Sequence, residues 1–147
     1  MIHHEGTKDT KDTKDTKDTK DTKVRAMGVS HAVVGAAIEV HRHLGAGLLE
    51  SIYEAALHRE LSLRGLTVDR QLRVPLEYKG SPLGLSARLD LLVQQLVVVE
   101  VKSVDRLLPV HKAQLLTYLR LTGHTVGLLI NFNVELLRSG VKRVLNG

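Results

Sequence analysis

Asp90, Glu100 and Lys102 are the residues whose types and spacing could carry chemistry. Glu100 and Lys102 stand two apart in Leu96-Val97-Val98-Val99-Glu100-Val101-Lys102, an apolar run that reads as a strand covered on both faces. Both side chains therefore point to one face, while Val101 points away into packing and its carbonyl stays near them. Asp90 lies on the preceding strand of the same hairpin. A two-residue turn at Gln94-Gln95 would pair Val93 with Leu96 and put Asp90 and Glu100 on opposite faces; a three-residue loop, or one bulge, brings them face to face. That odd register is the expected one, because two carboxylates on one face can hold a divalent ion and two on opposite faces cannot. Hard oxygen donors, with no cysteine and no well-placed histidine pair, suit Mg²⁺ or Mn²⁺ rather than zinc. A cation held by Asp90, Glu100 and the Val101 carbonyl would polarise a phosphoryl oxygen and acidify a bound water, and Lys102 would stabilise the hydroxide or the charge growing on the phosphate. Those are the parts of a phosphodiester hydrolase, although an E-x-K on a strand is by itself more often an ion pair.

The elements that must position these groups follow from periodicity. Val33, Val34, Ala37, Ile38, His41 and Leu44 recur at helical spacing over residues 29–44, and Gly45-Ala46-Gly47 stops that helix. A second helix is expected from Leu48 to Leu63, with Gly65 just past its end. Val68 to Tyr78 reads as a strand or bent pair in which Pro75 argues for an edge or a bulge, and Lys79-Gly80-Ser81-Pro82 is a turn. Leu83, Leu85, Ala87, Leu89, Leu91 and Val93 alternate with more polar residues, as one face of a continuous strand would. Val110 to Leu121 reads as a helix, Val126 to Phe132 as a buried strand, and Val141 to Leu145 as an edge strand. The order is helix, helix, three antiparallel strands, helix, strand and tail: an α/β single domain with a mixed central sheet flanked by helices. His41 and His43, at i and i+2 on a helix, face apart and make no joint metal site, so His41 is assigned a structural role; His111, opening the third helix, is a candidate for supporting the site.

Residues 1–26 differ in kind. Lys8 to Thr22 repeats Lys-Asp-Thr five times without an apolar residue, which cannot offset an ordering entropy of roughly 1–2 kcal/mol per residue, so a disordered low-complexity extension is expected, with the biological start near Met27 and the domain over 27–147. The chain has 147 residues, enough for one core, and no cysteine, which excludes a disulfide framework, a zinc finger and a thiol nucleophile. No apolar run is long enough to span a bilayer and the start lacks a secretory signal, so no membrane partner and a cytoplasmic location are expected. The net charge of +5 falls only slightly when the extension is set aside, which allows a polyanionic partner. Arg70, Arg73, Arg88 and Lys112 could contact phosphates, and the scarcity of aromatic residues leaves base stacking little to work with.

Two further motifs stand around these groups: Gly47-Leu48-Leu49-Glu50-Ser51-Ile52-Tyr53 and Gln114-Leu115-Leu116-Thr117-Tyr118. With Arg88-Leu89-Asp90-Leu91-Leu92-Val93 and Val99-Glu100-Val101-Lys102-Ser103, they make the segment from about Gly35 to Asn146 resemble the GxxExxY proteins, a family within the PD-(D/E)XK nuclease superfamily. Ala46 stands where many relatives have proline. The resemblance implies the superfamily core, with Asp90, Glu100 and Lys102 at the catalytic positions. It also implies Glu50 as the helix-borne acid that joins the metal ligands, and Gln114 with Tyr118 as the Q-x-x-x-Y element. The expected function is Mg²⁺-dependent (or Mn²⁺-dependent) hydrolysis of phosphodiester bonds in nucleic acid, DNA or RNA. The alternative is a non-catalytic nucleic-acid or protein binding module on the same fold.

Overall fold

A computed structural model describes the backbone of residues 5–147 and the side chains from Lys20 onward. In chain order the elements are α1 (Glu5–Leu44), α2 (Glu50–Leu63), β1 (Val68–Tyr78), β2 (Ser81–Val93), β3 (Val97–Lys102), α3 (Pro109–Thr122), β4 (Val126–Asn131), a short 3₁₀ turn (Leu137–Gly140) and β5 (Val141–Leu145). The five strands lie in the order β1-β2-β3-β4-β5. All neighbours are antiparallel except β3 and β4, which run parallel because α3 carries the chain back across the sheet between them. This is the mixed sheet expected, with β1 and β5 as its edges. Pro75 sits on the edge strand β1, beside a register shift between Pro75 and Glu77. No helix among the described residues is long and apolar enough to cross a membrane.

Helices α1 and α2 cover one face of the sheet and α3 the other. Val33, Val40, Tyr53, Leu57 and Leu61 pack with Val97, Val99 and Val101, while Leu115 and Leu119 pack with Val98 and Leu129 on the far side. Strand β3 is thus buried on both faces, which accounts for its unbroken apolar run. The alternation also sets Glu100 and Lys102 on the α3 side, away from Val101.

Helix α1 runs across residue 27, where the domain is expected to begin. Residues 1–4 of the expected extension lie outside the described residues, but the helix already runs from Glu5 and its packed part begins before Met27. Ala26 is fully buried in the α1/α2 core, and the Lys23 amine donates to the carbonyl of Gly147 at 2.8 Å. Once a packed turn exists, each further residue adds a hydrogen bond without a new nucleation step, so a helix can extend past its apolar stripe.

The β2–β3 loop is what sets the register. Val93 pairs with Val97, leaving the three residues Gln94, Gln95 and Leu96, and Leu91 pairs with Val99. Asp90 then falls opposite Glu100, as expected. Both glutamines take positive φ, 55° and 57°, a conformation that is strained for residues with a Cβ. Bonds to the start of β1 hold it: Gln94 Oε1 accepts from the Thr67 amide at 2.6 Å and from its hydroxyl at 2.8 Å, and the Gln95 amide donates to Asp69.

The continuous face expected along β2 breaks at Asp90. Leu91 and Val93 belong to the α1/α2 core, but Leu89 belongs to the α3 core, and its partner Leu72 packs there too. The reversal occurs at Gln71, which has φ 56° and leaves Asp90 unpaired on that side. A left-handed residue inside a strand swings the following side chains to the other face, so the β1–β2 hairpin changes sides at the position of Asp90.

Gly140 marks a second tight spot, between the 3₁₀ turn and β4. A Cβ there would come within 2.1 Å of the carbonyl oxygen of Asn131. Gly140→Ala is expected to destabilise the protein by about 3 kcal/mol, since backbone cannot rotate away as a side chain would; urea denaturation checks this, and an unchanged midpoint would contradict the packing described.

Candidate active site

Beyond the Leu91–Val99 pair the β2–β3 ladder opens, and carboxylates occupy the gap. The backbone amide of Asp90 donates to Glu100 Oε2 at 3.1 Å, and the amide of Val101 donates to Asp90 Oδ2 at 2.8 Å. Each carboxylate therefore takes the place of a backbone acceptor on the opposite strand. Amide and carbonyl of one strand residue leave on the same side, so the Val101 carbonyl faces the gap as well. The carbonyl of Lys102 points the other way, accepting from the Phe132 amide at 2.9 Å.

Burial makes this pair hard to ionise. Glu100, 6% exposed, is pushed up to about 8, first by burial and then by the charge of Asp90. Asp90 is raised to about 6 by burial, against the opposing bond from the Val101 amide, with Glu54 adding to the rise. Lys102 acts in the opposite sense on both. Burial and mutual repulsion both favour a proton shared between the two carboxyls.

The site has a buried supporter that sequence reasoning missed. Glu54 is 7% exposed. Its carboxylate accepts from Arg70 Nε at 2.7 Å and from Gln71 Nε2 at 2.7 and 2.8 Å. It thereby holds the strand residue whose left-handed backbone turns the hairpin at Asp90. Arg70, a candidate phosphate contact, is committed to this pair. The available signal was position: Glu54 lies on α2 one turn after Glu50 and beside the buried stripe of Tyr53, Leu57 and Leu61.

Glu50 lies at the surface, and its charge still adds to the rise of Asp90. Its Oε2 accepts from the Ser103 amide at 3.3 Å, just past the end of β3. The Ser103 hydroxyl donates to the carbonyl of Leu48 at 2.6 Å. Tyr53 is buried and stacked on Phe132 with ring centroids 4.6 Å apart. Its hydroxyl donates to the Gly45 carbonyl at 2.5 Å and accepts from the Leu48 amide at 3.1 Å. Glu50 and Tyr53 together tie the glycine-rich loop to the end of β3, next to Lys102.

On the other face Gln114 Nε2 donates to the Tyr118 hydroxyl at 3.0 Å. Burial, and after it the charge of Glu100, raises the Tyr118 phenol, so the ring lies within the field of the acid pair. Gln114 itself is exposed. His111 caps its own helix, its Nδ1 accepting from the Leu108 amide at 3.0 Å. His41 meets the carbonyl of Val134 at 2.8 Å and His43 pairs with Glu39 at 3.0 Å, so the two face apart as expected.

The donor set suits a hard divalent cation in part. One buried carboxylate, one half-buried carboxylate and a carbonyl face one gap, and Mg²⁺ is commonly held through one or two carboxylates while it keeps several waters. The expected three-acid cluster is not assembled: among the described residues no group of three or more His, Cys, Asp or Glu side chains is placed to hold a metal ion. The reason is geometric, since Glu50 is drawn to Ser103 and Glu54 to Arg70 and Gln71.

A family model described as the PD-(D/E)XK nuclease superfamily matches residues 27–144. No curated protein and no solved structure matches the chain.

Proposed function

Because the chain belongs to the PD-(D/E)XK nuclease superfamily, we propose that it is a divalent-metal-dependent hydrolase of nucleic-acid phosphodiester bonds, with Mg²⁺ or Mn²⁺ held by Asp90, Glu100 and the Val101 carbonyl. The observation that carries this reading is the opened β2–β3 ladder, where the buried carboxylate of Glu100 meets the half-buried one of Asp90. A bound cation would supply Lewis acidity at the phosphate and favour the ionised carboxylates. Lys102, on the Glu100 side of β3, would place its ammonium against the charge that develops on the phosphate. Gln114 and Tyr118 would line the α3 side and orient the substrate. Glu50 takes the role of positioning Ser103 and the end of β3. Within the superfamily we assign the chain to the GxxExxY proteins; the mutual bonding of Gly45, Leu48, Glu50, Tyr53 and Ser103 supports this, because it gives each polar motif residue a physical task.

Incubating the full chain with end-labelled single-stranded and duplex DNA and RNA, with Mg²⁺ or Mn²⁺ and with EDTA, tests the proposal. Metal-dependent product from at least one substrate is expected. One observation favours a non-catalytic binding module: Glu50 is exposed and bonded to the Ser103 amide, although its charge still acts on Asp90. That reading predicts equal nucleic-acid binding with and without metal, and no product from any substrate.

A further inference from the structure

A cavity of about 480 Å³ lies between α1 and the β4–β5 edge; none of the acid-site residues lines it. Val34 and Ile38 of α1 and Leu128 of β4 give it an apolar floor, and His31, Arg138 and Arg143 bring three basic groups to it from three elements. No acidic residue lines it. Arg143 is the direct cross-strand partner of Leu128, so it rises from the rim of the floor. Arg138 belongs to the 3₁₀ turn, which Gly140 seats against β4 by its close approach to Asn131. Among the described residues Arg138 and Arg143, like most of the arginines, have no carboxylate partner, so both guanidiniums are available to an anion.

Arg138 and Arg143, both exposed, line one cavity with His31, and an anion seated there would meet both positive charges. Guanidinium matches phosphate oxygens in paired hydrogen bonds, the floor offers contact to a carbon body, and the volume falls in the range of small-ligand sites. We propose that this cavity is a second ligand site, which binds a phosphate monoester carried on a nucleoside-sized body. The same group occurs on a free mononucleotide and on the phosphorylated end of a nucleic-acid strand. The inference goes beyond the nuclease reading and stands without it.

The test is a thermal-shift and calorimetric titration of the full chain, in EDTA so that the acid site takes no metal, with three probes: adenosine 5′-monophosphate, adenosine, and a 5′-phosphorylated hexanucleotide. Protection by the mononucleotide alone supports a free small ligand; protection by the hexanucleotide too supports a strand end. In either case Arg138→Ala/Arg143→Ala should weaken binding at least tenfold, Arg138→Lys/Arg143→Lys should retain part of it, and Asp90→Asn should leave it unchanged. The proposal is overturned if neither phosphorylated probe binds, if adenosine binds as well as its monophosphate, or if the double alanine variant binds like the wild type.

Discussion

Lys102→Ala is expected to lower metal-dependent cleavage on the order of 1,000-fold, the scale of losing one preorganised charge at a reacting centre, while the fold survives. The side chain is half-buried and makes no hydrogen bond to another described residue, so little packing depends on its ammonium. Its charge instead favours ionisation of both Asp90 and Glu100. Removing it should therefore also move the acid limb of the pH–rate profile to higher pH. Asp90→Asn should give a loss of similar size by removing one of the two carboxylates. Single-turnover cleavage together with circular-dichroism melts checks both variants. Activity within tenfold of wild type in a folded Lys102→Ala protein would remove Lys102 from the chemistry.

Glu100→Gln should do the opposite to stability. In the native protein Glu100 is raised to about 8 from an ordinary 4.5. The native state then keeps a proton that the unfolded chain has already released. The stabilisation this gives is fully present below about pH 4.5 and is lost progressively as pH rises towards 8. Asp90 pushes in the same direction over a lower window, Glu54 adds to the loss and Lys102 opposes it. At pH 8 without divalent metal, Glu100→Gln should stabilise the protein on the order of 3 kcal/mol, because an uncharged amide replaces a charge held away from water. Its oxygen can still accept from the Asp90 amide. Mg²⁺ should reverse the ranking: it raises the wild-type melting temperature, more at pH 8 than at pH 6, and leaves the variant unmoved. Melting curves at pH 5, 6, 7 and 8, with and without Mg²⁺, provide the check; a variant less stable than wild type at pH 8 without metal would show that the carboxylate is not strained by burial.

The elements and the face-to-face acids were legible in the sequence for separate reasons. Helices and strands announced themselves by period, and the double-sided burial of β3 by its run of valines. The Asp90–Glu100 register was legible only through a chemical demand, since Gln94 and Gln95 do not advertise a loop in which both take positive φ. Thr67 and Asp69 make that loop possible, some 26 residues away. The turnover of the hairpin at Gln71 had no local signal, because a glutamine held left-handed by Glu54 looks like any strand glutamine. The partner of Glu54 is likewise fixed by tertiary contact. Glu50 carried a motif, yet a motif does not say whether its acid faces a cation or a backbone amide, and here it meets Ser103.

Titration of Mn²⁺ into the full chain, with free ion counted by electron paramagnetic resonance, tests most directly whether Asp90 and Glu100 form a cation site. The expected result is one tightly bound Mn²⁺ per chain, displaced by Mg²⁺ and lost in Asp90→Asn and in Glu100→Gln. Saturable binding that is unchanged in both variants, or no binding to the wild type, would contradict it.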